Sequence, residues 1–428
     1  MRGLRASEGV LLLLCLMYLM IYLDRVNVST AAAGFATDFS LSKTQIGLVF
    51  SAFAYPYLLL QIAGGWISDR YGARRTLIAC GIVWAGATAL TGMSTGLVSL
   101  LLARIVLGVG EGATLPAATT AMSRWFPAAR RGFAQGITHA AARVGNAVAP
   151  GAIVLIMASA GWRASFYACA IVSFGWVVLW ALTFTEFPAQ HPRVLPQELA
   201  SLEAPTTFAT ARAPWRALFK RMTPVTTVYF CYGWNLWLFL SWIPQYFLHS
   251  YDLDLKKSAV FSSGVFLAGV VGDTLGGLTT DKLLRRTGSL TVARTWMVST
   301  CMFLTALALV PLIFVHSAIV SLLCLSAGFF FAEMTIGPMW AIPMDIAPHY
   351  SGTASGMMNT GSALAAIISP VVSGYLIDRF HNWELPFVCD MLLAAISLAL
   401  TFRMRPENRF TDPDAHSGSA PVRVPISR

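Results

Sequence analysis

The chain has 428 residues, of which 56% are hydrophobic and only 12% charged, with 30 Lys and Arg against 20 Asp and Glu. A soluble domain carries about 25% charged residues, so a soluble globular protein is excluded; the apolar runs are long and lack period-two alternation, which excludes a β-barrel. The net charge of +10 does not indicate nucleic acid, because the arginines lie in alternate loops and form no basic domain.

The pattern predicts an all-α polytopic membrane protein of twelve transmembrane helices, over 10–33, 44–67, 76–93, 97–122, 131–159, 163–184, 223–248, 258–279, 291–313, 316–341, 352–376 and 384–404. The first run continues past signal-peptide length, so it is read as a retained span. Arg2 and Arg5, Arg70, Arg74 and Arg75, Arg124, Arg130 and Arg131, Lys220 and Arg221, and Lys282, Arg285 and Arg286 fall on one side. By the positive-inside rule both termini are cytoplasmic. The opposite loops are short or mixed, as in Asp252-Leu253-Asp254-Leu255-Lys256-Lys257.

Span 1 carries Tyr22-Leu23-Asp24-Arg25-Val26-Asn27 at membrane depth. A charge at the bilayer centre costs roughly 2.5 to 3.5 kcal/mol, and such residues persist where they face a bundle interior or a watery cavity. Asp24 and Arg25 point about 100° apart on a helix. Asp24 shares its face with Asn27, and Arg25 with Tyr22. Both are wetted only if the helix borders a cavity along a wide arc. The plain alternative is a static buried pair fixing span 1 to a neighbour.

After span 2, Gly64 and Gly65 permit close helix approach. Asp69 can then meet a helix N-terminus or an arginine of the adjoining half. Arg70, Arg74 and Arg75 tie the loop down, face anionic lipid, or serve only to orient the chain. In span 4, Arg104 and Glu111 lie two turns, about 10.5 Å, apart on one face. Gly108 lies between them, and Gly110 and Gly112 flank Glu111. A carboxyl against apolar walls favours its protonated form, and an approaching arginine restores the carboxylate. That is what a group needs if it is to take up and release a proton, unless Glu111 is simply the permanent partner of Arg104. In span 5, His139 and Arg143 share a face at i and i+4, with Asn146 three residues on. A lone membrane histidine usually packs. Arg143 either binds a second acidic group or pairs with an acid such as Glu111.

The connection 186–222 holds Pro188, Pro192, Pro196, Pro205 and Pro214 and reads as a cytoplasmic linker with a short amphipathic helix near 195–202. In the second half Tyr232, Asn235, Trp237, Ser241, Trp340 and Asn359 offer neutral hydrogen bonds and aromatic walls. Asp273 reads as part of a second latch; Glu333 and Asp390 are unexplained, and either is a candidate for a further titrating site. The tail 405–428 is polar and Pro-rich and reads as disordered. The seven cysteines read as small packing residues.

An internal repeat divides the chain. Gly64-Gly65-Trp66-Ile67-Ser68-Asp69-Arg70 recurs as Gly276-Gly277-Leu278-Thr279-Thr280-Asp281-Lys282, Glu111 recurs as Glu333, and Gly136 to Pro150 recurs as Gly356 to Pro370, with Asn359 at the place of His139. The offsets are 212, 222 and 220 residues (276−64, 333−111, 356−136). Three in one order indicate a parallel duplication, hence six-helix bundles at 1–185 and 223–404 around the linker.

Gly65-Trp66-Ile67-Ser68-Asp69-Arg70-Tyr71-Gly72-Ala73-Arg74-Arg75 resembles the loop 2–3 signature of the major facilitator superfamily, and the resemblance covers nearly the whole chain. Tyr22-x-Asp24-Arg25-x-Asn27, Ser51-Ala52-Phe53-Ala54-Tyr55-Pro56-Tyr57, and Arg104 with Glu111 are similar to its anion:cation symporters. That group includes bacterial sugar-acid transporters and the vesicular glutamate and sialic-acid carriers.

The resemblance implies a two-lobed fold working by alternating access, with Asp24 and Glu111 as proton-coupling carboxyls and Arg25 and Arg104 attracting the substrate's carboxylate. Tyr57 would donate a hydroxyl hydrogen bond, and Tyr22, Asn27, His139, Arg143, Asn235 and Asn359 would complete the binding site. Gly65, Asp69, Arg70, Arg74, Asp273 and Asp281 would form the conformational latch. The expected function is proton-coupled uptake of a small organic anion, such as a sugar acid, by a monomer in a bacterial inner membrane. The proton gradient supplies the energy, and no cofactor or metal is expected. No phosphate loop, Cys/His metal cluster or nucleophile elbow occurs, so the chain is not expected to be an enzyme. Anion exchange, drug export by proton antiport, or a non-transporting receptor on the same fold are the alternatives. Span 5 departs from the sugar-acid members, which carry a glutamine near Ala142, where this chain has His139 and Arg143.

Overall fold

A computed structural model describes residues 5–41, 43–200, 202, 214–251 and 255–411. Arg2, the 203–213 part of the linker, the Asp252-Leu253-Asp254 loop and the tail beyond 411, read above as disordered, lie outside the described residues.

The chain folds as the twelve-helix bundle that its hydropathy dictates. Span 1 is Ala6–Thr30. Span 2 is Lys43–Ala52 and Ala54–Tyr71, and span 3 is Ala73–Gly92. Span 4 is Leu97–Gly112 and Thr114–Trp125. Spans 5 and 6 form one helical run, Ala128–Thr183, divided where Gly161 takes φ 79° and ψ 170°. A left-handed φ of this kind is tolerated by glycine alone without strain, so the connection expected at 160–162 shrinks to a single residue. Span 7 is Trp215–Ser250 and span 8 Leu255–Thr287. Span 9 starts with a π-helical turn, Thr291–Trp296, and continues as Met297–Leu309. Span 10 is Ala318–Glu333 and Ile336–Ile346, span 11 Ser351–Phe380 and span 12 Leu385–Thr401.

Nine segments among the described residues are long and apolar enough by themselves to cross a membrane. Spans 5, 7 and 12 fall short: span 12 has only 17 residues, and span 5 spends apolar positions on Arg130, Arg131, His139 and Arg143. Leu102, Leu155, Ile171, Leu182 and Val371 stand exposed on the outside of the bundle, a surface suited to lipid tails, whereas the charges are turned inward.

The repeat shapes the breaks. Span 4 breaks at Ala113 and span 10 at Met334–Thr335. In each a threonine hydroxyl donates to a carbonyl just before the break, Thr114 to Glu111 O and Thr335 to Ala332 O, both at 2.6 Å. Glu111 and Glu333 both lie at the end of a first helical segment, beside such a break.

At the end of the bundle carrying the 71–73 turn, the linker residue Glu186 accepts the N–H groups of Ala73 and Arg74 at 2.9 and 2.8 Å, and pairs with Arg124. It thereby caps span 3, whose own first N–H groups have no intrahelical partner. The predicted linker helix is present but short, Pro196–Ala200, and Glu198 accepts the Ser7 N–H at 3.1 Å. At the opposite end Asp38 accepts from Trp162 Nε1 at 2.9 Å and pairs with Arg163 at 2.7 Å.

Candidate functional site

A cavity of about 530 Å³ lies among spans 1, 2, 5, 7, 10 and 11. Tyr22, Arg25, Tyr57, His139, Arg143 and Asn359 line it, with Tyr229, Tyr232, Trp237 and Trp340 as further aromatic walls. Nine of the residues singled out from the sequence, Tyr232, Trp237 and Trp340 among them, thus share one chamber of small-ligand size.

Arg25 is the pivot. Its Nε donates to Glu111 Oε2 at 2.9 Å, and its guanidinium carbon lies 4.7, 5.1 and 4.8 Å from the ring centroids of Tyr22, Phe53 and Tyr57. Three aromatic faces hold the cation in place as they desolvate it. Glu111 is fully buried, and its Oε1 has no hydrogen-bond partner. The span 2 break supplies this cage, because Phe53 marks the junction of the two helical segments.

Arg104 behaves differently from the expectation. Its Nε donates to the Val49 carbonyl at 3.3 Å, it stacks near Phe53 at 5.2 Å, and it does not line the cavity. Gly108, between these two charges on span 4, does not leave that face open, because the Phe53 carbonyl and Pro56 of span 2 pack against it.

Asp24 likewise turns away from the cavity. Trp84 Nε1 and Thr88 Oγ1 (3.3 Å) both donate to its Oδ2, so span 3 holds it. Asn27 accepts from Ser165 Oγ at 2.8 Å and donates to Cys169 Sγ at 3.4 Å, which places it against span 6 and outside the cavity. Two residues past Arg25 is about 200° round the helix, so Asn27 cannot share the wall that Arg25 forms.

In the second half Asn359 donates to Gln61 Oε1 at 2.9 Å and to the Tyr57 hydroxyl at 3.3 Å, tying span 11 to span 2 beside the chamber. His139 lies between Trp340 (5.2 Å) and Tyr18 (5.0 Å), with Nδ1 2.9 Å from Gln135 O. Asn235 is placed outside the chamber and donates to Asp390 Oδ2 at 2.5 Å. This gives Asp390 a partner that the sequence did not supply.

Arg143 resolves its two alternatives toward an acid, though not toward Glu111. Its Nη2 donates to both oxygens of Glu333 at 3.1 Å, and Asp273 stands 3.8 Å from its Nε. Asp273 is therefore placed in this mid-bundle cluster, apart from the helix-end contacts where the latch was expected. Glu333, which the repeat marks as the counterpart of Glu111, is the acid that the sequence did not assign to Arg143.

The helix-end contacts are duplicated across the repeat. Asp69 accepts from Gly352 N (2.8 Å), Thr353 N (2.7 Å), Thr353 Oγ1 (2.6 Å) and Thr120 Oγ1 (3.1 Å). Its counterpart Asp281 accepts from Gly132 N (3.0 Å) and Phe133 N (2.7 Å). Asp69 thus sits on the first turn of span 11 and Asp281 on the second turn of span 5, each near the start of a helix of the other repeat, where the dipole favours negative charge. Gly65 packs on the Gly352 carbonyl, and Gly277 on that of Gly132. Arg294 joins the second set, 3.6 Å from Asp281 and 2.9 Å from Asp345, while Arg131 reaches Asp345 at 3.3 Å. Arg70 lies over the rings of Trp66 and Tyr71, both at 5.4 Å, and the Arg74 guanidinium donates to Ala181 O within its own repeat. At this end the bundle is closed beneath the cavity.

Comparison with known proteins agrees with this architecture. The Major Facilitator Superfamily model matches residues 14–370. The "Probable sulfoacetate transporter SauU" of Cupriavidus necator is 43% identical over 99% of both chains. The hexuronate transporter of Bacillus subtilis is 30% identical over 93% of this chain and 94% of its own. Among solved structures, the E. coli fucose:proton symporter FucP aligns with a TM-score of 0.72 at 16% identity, covering 93% of this chain and 99% of that one. The proton:xylose symporter XylE gives 0.73 at 17% identity, covering 93% and 95%.

Proposed function

The chain belongs to the Major Facilitator Superfamily, and from that premise we propose that this membrane transporter carries a small organic anion into the cell together with protons. It is a transporter and not an enzyme. The observation that carries the proposal is Arg25, a cation shared between the wall of the chamber and the buried carboxylate of Glu111 at 2.9 Å. The names of the relatives, a sulfoacetate and a hexuronate transporter, support an acidic cargo. The guanidinium fork suits such an acid group.

In this reading a proton taken up by Glu111 weakens its hold on Arg25, which passes to the cargo's acid group. Asp24, clasped by Trp84 and Thr88 on the far side of the same helix, is the second proton carrier. Arg104 fixes the span 2 break through the Val49 carbonyl and so sets the aromatic cage. Tyr57 and Asn359 orient the cargo, and His139 supplies a neutral wall. The aspartate contacts form the cytoplasmic latch, which must open for release. Both termini are cytoplasmic, and the membrane is a bacterial inner membrane. The units are two six-helix bundles at 1–185 and 223–404, joined by the linker 186–222 and followed by the tail 405–428, and the monomer is the working unit.

A thermal-shift screen of the purified protein against sulfoacetate and hexuronates at two pH values tests this. Stabilisation is expected, larger at the lower pH because protonated Glu111 frees Arg25, and Arg25→Ala is expected to abolish it. Stabilisation independent of Arg25 refutes the assignment.

A further inference from the structure

Glu111 and Glu333 both stand beside a helix break, one repeat apart, and each grips an arginine that lines the chamber. Glu333 is completely buried, receives Arg143 Nη2 on both oxygens, and accepts the Tyr232 hydroxyl at 3.1 and 3.2 Å. The guanidinium carbons of Arg25 and Arg143 lie 4.7 and 5.8 Å from the same Tyr22 ring. One small molecule resting on Tyr22 therefore reaches both. Neither arginine is saturated: Arg25 Nη2 and Arg143 Nε and Nη1 are buried donors with no hydrogen-bond partner. Unsatisfied buried donors are costly, and an acid group offers two oxygens to each fork.

The surroundings of Glu333 fix what must accompany such cargo. Arg143 comes from span 5, Tyr232 and Tyr229 from span 7, Asp273 from span 8 and Tyr22 from span 1. Gly269 and Gly272 let span 8 pack directly on the Glu333 side chain. Once Arg143 turns to cargo, Glu333 and Asp273 are left as two buried carboxyls without a cation. Two such groups do not both stay ionised, so a proton has to arrive with the cargo.

We propose that Arg143 and Glu333 form a second anion-and-proton station beside Arg25 and Glu111, and that the cargo is a small dianion, a dicarboxylate or a sulfonated carboxylate, with one acid group on each arginine. Each glutamate takes one proton from water as its arginine passes to the cargo, so two protons offset two negative charges and the loaded site gains no net charge. The inference rests on the reading of Arg25 and Glu111 given above.

The test is calorimetric binding to the purified protein of sulfoacetate, with acetate and methanesulfonate as one-armed probes, and proton uptake counted in two buffers of different ionisation enthalpy. The dianion is expected to bind about 100-fold more tightly than either one-armed probe, with one proton more taken up than for a one-armed probe. Arg143→Gln leaves Glu333 unpaired and can fail to fold, so the paired variant Arg143→Gln/Glu333→Gln is the deciding one. It is expected to bring sulfoacetate down to one-armed affinity and to lower the proton count by one. Retained dianion preference or an unchanged proton count overturns the proposal. If Arg25→Ala leaves one-armed binding intact, the underlying reading fails instead, and the two failures are told apart.

Discussion

Glu111→Gln is expected to destabilise the empty protein by about 3 to 5 kcal/mol, the cost of leaving a buried cation without its partner, and to lower uphill accumulation. The Arg25 guanidinium is caged by Tyr22, Phe53 and Tyr57, with Glu111 as its carboxylate partner. With an amide in that place, the cation is compensated only when anionic cargo is bound. Binding is then retained and no longer varies with pH through this residue, and the stabilisation by cargo exceeds that of the wild type. Accumulation driven by a pH gradient falls, because the proton exchanged against Arg25 is lost and only the other proton carriers remain. Thermal shift with and without cargo, together with uptake under an imposed gradient, reads all three effects. Accumulation at the wild-type level contradicts the assignment.

Asp69→Asn is expected to release the closed end of the bundle. The carboxylate accepts four hydrogen bonds, three of them from Gly352 and Thr353 at the start of span 11. An amide keeps only one accepting oxygen and turns its NH₂ group toward backbone N–H donors. Losing two charge-assisted bonds, at about 1.5 to 3 kcal/mol each, moves the balance between closed and open states by roughly 100-fold or more. Ser123, whose hydroxyl lies 3.0 Å from that of Ser351 beneath this contact, is a suitable reporter. In a background with the native cysteines replaced, Ser123→Cys should be protected from an impermeant maleimide. Adding Asp69→Asn should raise its labelling rate at least tenfold. Asp281→Asn should act in the same direction more weakly, because Arg294 continues to bind Asp345. Equal labelling with and without Asp69 removes the latch from the mechanism.

What could be read from the sequence followed from rules that act along one helix or one repeat. Runs of about twenty apolar residues located the spans, and the repeated Gly-Gly motif with its aspartate located both helix-end contacts, Asp69 on span 11 and Asp281 on span 5. The partners of the buried charges could not be read this way. Arg104 and Glu111 share a face of span 4, yet the break at Phe53 brings the Val49 carbonyl to one and opens the route from Arg25 to the other. Asp24 meets Trp84 from span 3, and Asn235 meets Asp390 from span 12. These pairings depend on how helices lie against one another, which spacing within a single helix does not encode. Glu333 is the intermediate case, since the repeat marked its place and only packing revealed its arginine.

The central claim is that an anion and protons cross together through the Arg25 and Glu111 pair. The most direct measurement is external pH in weakly buffered proteoliposomes on adding sulfoacetate, in wild type and in Glu111→Gln. Alkalinisation that keeps pace with uptake in the wild type and is smaller per molecule taken up in the variant is the predicted result; uptake without any pH change, or with acidification, would contradict it.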